Sequence, residues 1–184
     1  MAASRKRMTM TEQIRFYKVP DPWGLFANFS RHPIEVDGRT WPSTEHYFQA
    51  QKFVDTDPEW AEAIRNAENP GTSATMGRNR SHPLRPHWEE VKYSIMLLAL
   101  LAKFTQHEDC KAVLLATGDK YLIEDTGQGR DDDHIWGDGS TGKGQNLLGK
   151  ALMELRTAIR QGEEKPLERV CRDVLAHYPS NQTT

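Results

Sequence analysis

A chain of 184 residues, 37% hydrophobic and 27% charged, has the size and balance of one soluble domain with a single good core. A net charge of −2 and an isoelectric point near 6.4 exclude a global attraction to nucleic acid or anionic membranes, so any such contact has to be a local patch. The two cysteines, Cys110 and Cys171, lack a CxxC spacing, the longest apolar run is too short for a bilayer, and no signal peptide is visible. The expectation is a cytoplasmic protein with free thiols and no membrane contact.

Residues 1–12 read as a flexible lead-in. Residues 14–19 read as a short strand ended by Pro20-Asp21-Pro22, followed by an aromatic loop, Trp23 to Phe29. Asp37-Gly38 between Ile34-Glu35-Val36 and Arg39-Thr40-Trp41 predicts a hairpin, because a type I′ turn needs positive φ at both centres. After Trp41-Pro42, Ser43 or Thr44 can cap a helix that carries Glu45 in its first turn and runs to about Phe53. Asp57-Pro58 opens a second helix, stopped by Asn69-Pro70-Gly71. A short helix is expected over 72–76, then a basic loop with Arg78, Arg80 and Arg85, the last two read as solvated. The longest helix is expected over 86–105. Its second half is apolar nearly all round, which assigns it to the middle of the core. A helix over 108–116 and a strand over 121–124 follow. Residues 125–145 form a long loop in which Ile135 and Trp136 suggest ordered packing. An amphipathic helix over 146–161 ends at Gly162. Residues 163–184 read as an extension with one short helix, so the domain proper is 13–162. The fold class is mainly α with a small β element (α+β), built from the hairpin and the strands at 14–19 and 121–124.

No G-x-S-x-G elbow is present, and the seven histidines show no metal-ligand spacing. Asp131-Asp132-Asp133 lacks the EF-hand pattern, and the glycines at 137, 139, 142 and 144 fit no established phosphate loop. No metal or organic cofactor is expected. At 3.6 residues per turn, Glu45, Gln49 and Lys52 share one face of a mostly apolar helix. A surface stripe, a structural ion-pair relay and one wall of an active site all fit that pattern.

The stretch Glu45-His46-Tyr47-Phe48-Gln49-Ala50-Gln51-Lys52-Phe53 resembles the signature helix of the NADAR family, also called YbiA-like. Further blocks match in order from about residue 14 to 160. They are Phe26, Asn28, Phe29, Pro33 and Ile34 (with Ala27 where the family has Ser), Gly77-Arg78, Trp88-x-x-x-Lys92-x-x-x-Met96, Leu122-Ile123-Glu124, Asp133-His134-Ile135-Trp136-Gly137, and Gly144 to Gly149. The resemblance implies an N-glycosidase, a hydrolase that cleaves a C1–N bond between ribose and a base. It implies a catalytic set of Glu45, Lys52, Glu124 and Asp133, with Lys52 forming a Schiff base with the opened ribose. Asn28, Gln49, Arg78, Trp88, Trp136 and Asn146 are the expected substrate-binding residues, Arg78 for phosphate and the tryptophans for the base. Such chemistry needs a proton for the leaving base, a carboxylate near an oxocarbenium-like centre, and a nucleophile for C1. A lysine serves only as a neutral amine, which burial can arrange. The implied substrate is ADP-ribosylated guanine, as nucleotide or on single-stranded nucleic acid, or a phosphorylated ribosylamino-pyrimidine of riboflavin biosynthesis. The alternative is a non-catalytic module that binds ADP-ribose or a nucleotide. The sequence leaves the oligomeric state open.

Overall fold

The computed structural model describes residues 13–128 and 132–179. In chain order the elements are β1 (Gln13–Phe16), β2 (Ile34–Val36), β3 (Arg39–Trp41), α1 (Thr44–Ala50), α2 (Pro58–Arg65) and α3 (Pro70–Gly77). Then come α4 (Trp88–Gln106), α5 (Glu108–Ala116), β4 (Tyr121–Glu124), α6 (Leu147–Gln161) and α7 (Glu164–His177). The mainly α architecture with a small β component is as expected. The strands form two separate two-stranded sheets: β1 pairs parallel with β4, Phe16 opposite Glu124, and β2 pairs antiparallel with β3.

The fold is assembled on α4, where Val91, Ile95, Ala99, Leu100 and Phe104 are fully buried. With apolar residues on almost every face, this helix can satisfy itself only by being surrounded. It packs against α1, α5, α6, α7 and β2. The hairpin turn is as predicted, with Asp37 at φ 53° and Gly38 at φ 71°.

Several boundaries move for physical reasons. β1 stops at Phe16 because residues 18–21 fold into a turn, with the Asp21 N–H on the Lys18 carbonyl and the Asp21 carboxylate accepting from the Lys18 N–H. α1 is capped by Ser43, whose hydroxyl accepts from the His46 N–H, but it ends at Ala50. Beyond it the Lys52 and Phe53 N–H groups bond three residues back, to Gln49 and Ala50, so Lys52 lies in a tightened turn rather than on the helix. Asp57 caps α2 as expected. Asn69-Pro70, read as a stop, begins α3: the Asn69 side chain accepts from the Thr72 N–H and Pro70 needs no N–H partner. α4 begins at Trp88 and not Pro86, since His87 takes a left-handed conformation at φ 56°. Residues 164–177 do form a helix, α7, which buries Cys171 and packs on α4 and α6. The lead-in 1–12, Asp131 of the Asp run, and residues 180–184 of the extension lie outside the described residues.

Candidate active site

α1 contributes an acid that its own helix has buried. Glu45 is 6% exposed, and its Oε1 accepts from Gln49 Nε2 at 2.8 Å. Burial lifts the Glu45 carboxyl above its ordinary range; Gln49, Lys52 and Arg78 act against that, and Asp133 adds to it. Gln49 fits because Gly77 of α3 has no side chain: a Cβ there would lie 1.8 Å from Gln49 Oε1. Asn28 holds the start of this helix. Its carbonyl accepts from the Glu45 N–H and the Thr44 hydroxyl, and its side-chain amide reaches Met96 Sδ at 3.5 Å.

Lys52 is 7% exposed. Its ammonium donates to the Gly77 carbonyl at 3.3 Å and lies 5.5 Å from the Phe48 ring centre and 5.7 Å from that of Trp88. Burial pushes this amine down to about 8. Glu45 pulls it up, Arg80 and Arg78 press it further down, and Asp133 pulls it up again. At pH 7 about a tenth of it is neutral, against fewer than one in a thousand for an ordinary lysine.

The second wall comes from β4 and the loop after it. The Glu124 N–H donates to Asn146 Oδ1 at 3.0 Å, and Asn146 Nδ2 donates to the Leu122 carbonyl at 2.8 Å. Asn146, at φ 51°, thus takes the role of a neighbouring strand for the end of β4 and makes no cap bond to α6. Glu124 Oε2 is buried and has no hydrogen-bond partner. Burial pushes the Glu124 carboxyl up to about 8, with Asp133, Glu45 and Asp138 adding to the effect, so it is largely protonated at neutral pH. Asp133 Oδ1 accepts from the Ile135 and Trp136 N–H groups, which fixes its carboxylate at the turn. Trp136 meets the Phe48 ring edge-on at 5.1 Å, and Phe48 packs on Trp88 at 5.2 Å. A Trp136–Phe48–Trp88 cluster of edge-on and tilted rings therefore ties the two walls together.

Glu45 and Asp133 act electrostatically on both Lys52 and Glu124 and so link the four residues expected as catalytic, with Arg78 on the exposed side. The structure adds residues that the sequence did not single out. Arg80, read as solvated, donates to the same Gly77 carbonyl as Lys52. Phe48, read only as a core residue, is the centre of the aromatic cluster. Asp138 sits against Glu124, and the Trp136-Gly137 motif was the only sign of it. Arg85 corrects the sequence expectation outright. It is 7% exposed and its Nε lies 3.0 Å from Asp55 Oδ2, because its backbone N–H is drawn onto the Lys52 carbonyl at 2.7 Å. Ile135, expected to pack with Trp136, is instead 40% exposed: it flanks the turn that Asp133 closes, and only Trp136 turns inward.

Two surface concavities, each about 600 Å3, are lined by none of these residues. Among the described residues one group brings metal-ligating atoms together, His32, Asp109 and Cys110, all within 4.8 Å. It lies beside the fully buried Lys103, whose charge opposes a cation. No helix among the described residues is long and apolar enough to cross a membrane.

Residues 15–160 match the family model described as the NADAR domain. N-glycosidase YbiA of Shigella boydii is 53% identical over 146 residues, which is 79% of this chain and 88% of that protein. The maize chloroplastic riboflavin biosynthesis protein PYRR is 38% identical over 162 residues, 81% of this chain but only 25% of that longer protein. The NMR structure of Escherichia coli YbiA superposes with a TM-score of 0.74 at 48% identity, covering 86% of this chain and 92% of that one.

Proposed function

The chain belongs to the NADAR family and is a hydrolase of N-glycosyl bonds, and on that premise we propose that its substrate is a phosphorylated riboside whose base leaves from C1 by way of Lys52. One observation carries the proposal: Lys52, buried against the Gly77 carbonyl and the Phe48 and Trp88 rings, shares the neighbours Glu45 and Asp133 with Glu124, whose Oε2 is buried without a hydrogen-bond partner, and burial favours the neutral form of both groups. Neutral Lys52 attacks C1, and the C1–N bond to the base breaks. The base departs with the bonding electron pair and takes the proton of Glu124. The Asp133 carboxylate faces the positive charge that builds on the ribosyl carbon, and Glu45 accepts the proton that the lysine nitrogen sheds. Ring opening leaves an imine on Lys52, and water then hydrolyses it, returning the free sugar and the amine. Arg78 and Arg80, exposed beside Lys52, suit a phosphate. Trp88, Trp136, Gln49 and Asn28 bound the space for the base, and Asn146 holds Glu124 in position.

Of the two substrates, the ribosylamino-pyrimidine phosphate is favoured by the name of the maize relative, and ADP-ribosylated guanine is the second reading. The test is to supply each compound and follow release of free base. Lys52→Ala and Glu45→Gln abolish release, and borohydride added with substrate fixes the sugar to the protein as a mass increase at Lys52. Binding without release, unchanged in Lys52→Ala, would instead make the chain a nucleotide reader. Release without any borohydride adduct would replace the lysine by water as the attacking group.

A further inference from the structure

Asp138 is the third acid around Glu124. It belongs to no pattern so far assigned a role. It is 5% exposed and its Oδ1 is buried without a hydrogen-bond partner. Arg15 of β1 holds its other oxygen, Oδ2, with both terminal nitrogens, Nη1 at 2.8 Å. The same guanidinium reaches Asp125 through Nε at 3.4 Å. Arg15 is about half exposed, so it grips Asp138 from the solvent side. The Asp138 N–H donates to the Glu124 carbonyl at 3.0 Å, and the Asp138 carbonyl accepts from Gly144 at 2.8 Å. Asp138 is thereby fastened to the backbone of the residue it faces, with a charge that cannot swing away.

We propose that the Arg15–Asp138 pair is a positioning device for the site acid, holding a fixed negative charge beside Glu124 so that Glu124 enters the reaction as a proton donor. This rests on the reading of Glu124 as the acid of the reaction. A carboxylate held by a bidentate arginine would ordinarily be a surface staple worth little. Here the arginine is outward and screened while the carboxylate is inward and dry, so the negative charge acts on the interior more strongly than the positive one. Among the described residues, the charges near Glu124 are Glu45 of α1, Asp133 and Asp138 of the loop after β4, Asp125 next in the chain and Arg15 of β1, while the start of α6 presents the neutral Asn146 that precedes it. Three of these acids act in one direction, and Asp138 alone is anchored to Glu124 by a backbone bond.

The test reads the proton of Glu124 directly. Infrared difference spectra of the full-length protein, titrated with pH, show a protonated-carboxyl band that Glu124→Gln removes. Asp138→Asn is expected to lower the midpoint of that band by at least about half a pH unit. Arg15→Gln, which keeps the Asp138 charge and removes its screen, is not expected to lower it. A purely structural pair would behave otherwise: both variants would lose thermal stability, and the midpoint would stay where it is. An unchanged midpoint in Asp138→Asn, or equal downward shifts in both variants, overturns the proposal. If wild type and Glu124→Gln give the same spectra near neutral pH, Glu124 is not a protonated acid and the proposal falls with that premise. The base-release assay separates this outcome from loss of the N-glycosidase reading, since release by the wild type does not depend on which acid serves.

Discussion

Replacing Lys52 by methionine removes the charge while keeping an unbranched, flexible side chain that is one atom shorter. The folded protein holds the Lys52 amine at about 8 against 10.5 for a free lysine. At about 1.4 kcal/mol per pH unit, carrying the ammonium in the folded state costs about 3 kcal/mol at pH 7. Lys52→Met is therefore expected to be inactive and at least as stable as wild type at pH 7. The sign of its pH dependence follows from the depressed midpoint. Below about 8 both folded and unfolded chains carry the proton, and the full cost is present. Between about 8 and 10.5 the folded chain has released it and the unfolded chain has not, so stability rises with pH. Wild type thus regains about 1 kcal/mol on going from pH 7 to 9, and the methionine variant regains none through this residue. Urea unfolding of both proteins at pH 6, 7, 8 and 9 measures the difference, in which Lys103 and the other shared groups that Lys52 does not act on cancel. A difference that stays constant from pH 6 to 9 would refute the depressed amine and, with it, the neutral nucleophile.

Three further outcomes follow from the same geometry. The pH–rate profile is expected to be a narrow bell with its maximum near pH 8, because Lys52 must have lost its proton and Glu124 must have kept its own, both with midpoints of about 8; a plateau from pH 5 to 7 would contradict it. Gly77→Ala puts a methyl group 1.8 Å from Gln49 Oε1 and is expected to destabilise by about 1–3 kcal/mol while breaking the Gln49–Glu45 bond, so thermal melting and base release should both fall. Arg85→Ala strands Asp55 beneath the Lys52 turn and is expected to cost about 3–5 kcal/mol, of which Arg85→Ala/Asp55→Ala recovers a large part; equal melting temperatures for the single and double variants would show that the pair is not buried in solution.

The parts of the fold legible in the sequence are those set by local chemistry. Asp37-Gly38 specified its turn, Asp57-Pro58 its helix start, and the all-round apolar second half of α4 its central position. Long-range pairing was not legible. Nothing in four residues of strand says that β1 will lie parallel to β4, more than a hundred positions away, although that pairing puts Arg15 beside Asp138 and Phe16 opposite Glu124. The α1 boundary failed for a related reason. Gln51 and Lys52 are good helix formers, and only packing against Gly77 and Arg85 makes the chain tighten at Gln51. Asn146 was legible only as the first residue of the helix expected over 146–161, yet it lies outside α6 in a left-handed conformation and its side chain serves β4. The residues expected at the site came from the ordered blocks of the family pattern. Arg80 and Asp138, which lie between or just beyond those blocks, were not.

What the structure tolerates in this region explains why the site needs so large a support. Gln49 Oε1, Glu124 Oε2 and Asp138 Oδ1 are all buried without hydrogen-bond partners, and each such group costs about 1–3 kcal/mol. Lys52 adds its own desolvation. Several kcal/mol of local instability are therefore gathered between α1 and β4, comparable to the whole net stability of an ordinary domain. They persist because both walls are fixed elsewhere: α1 by the buried face of α4 and by Asn28, β4 by β1, Asn146 and the close approach of α6 at Gly149, where a Cβ would lie 2.2 Å from the Leu122 carbonyl. A protein selected for stability alone would have filled these positions with hydrogen-bonded or apolar side chains. Unpaired oxygens on both walls, with a dry amine on one of them, are what a site prepared for a polar substrate would require, since the substrate supplies the missing donors only when it binds.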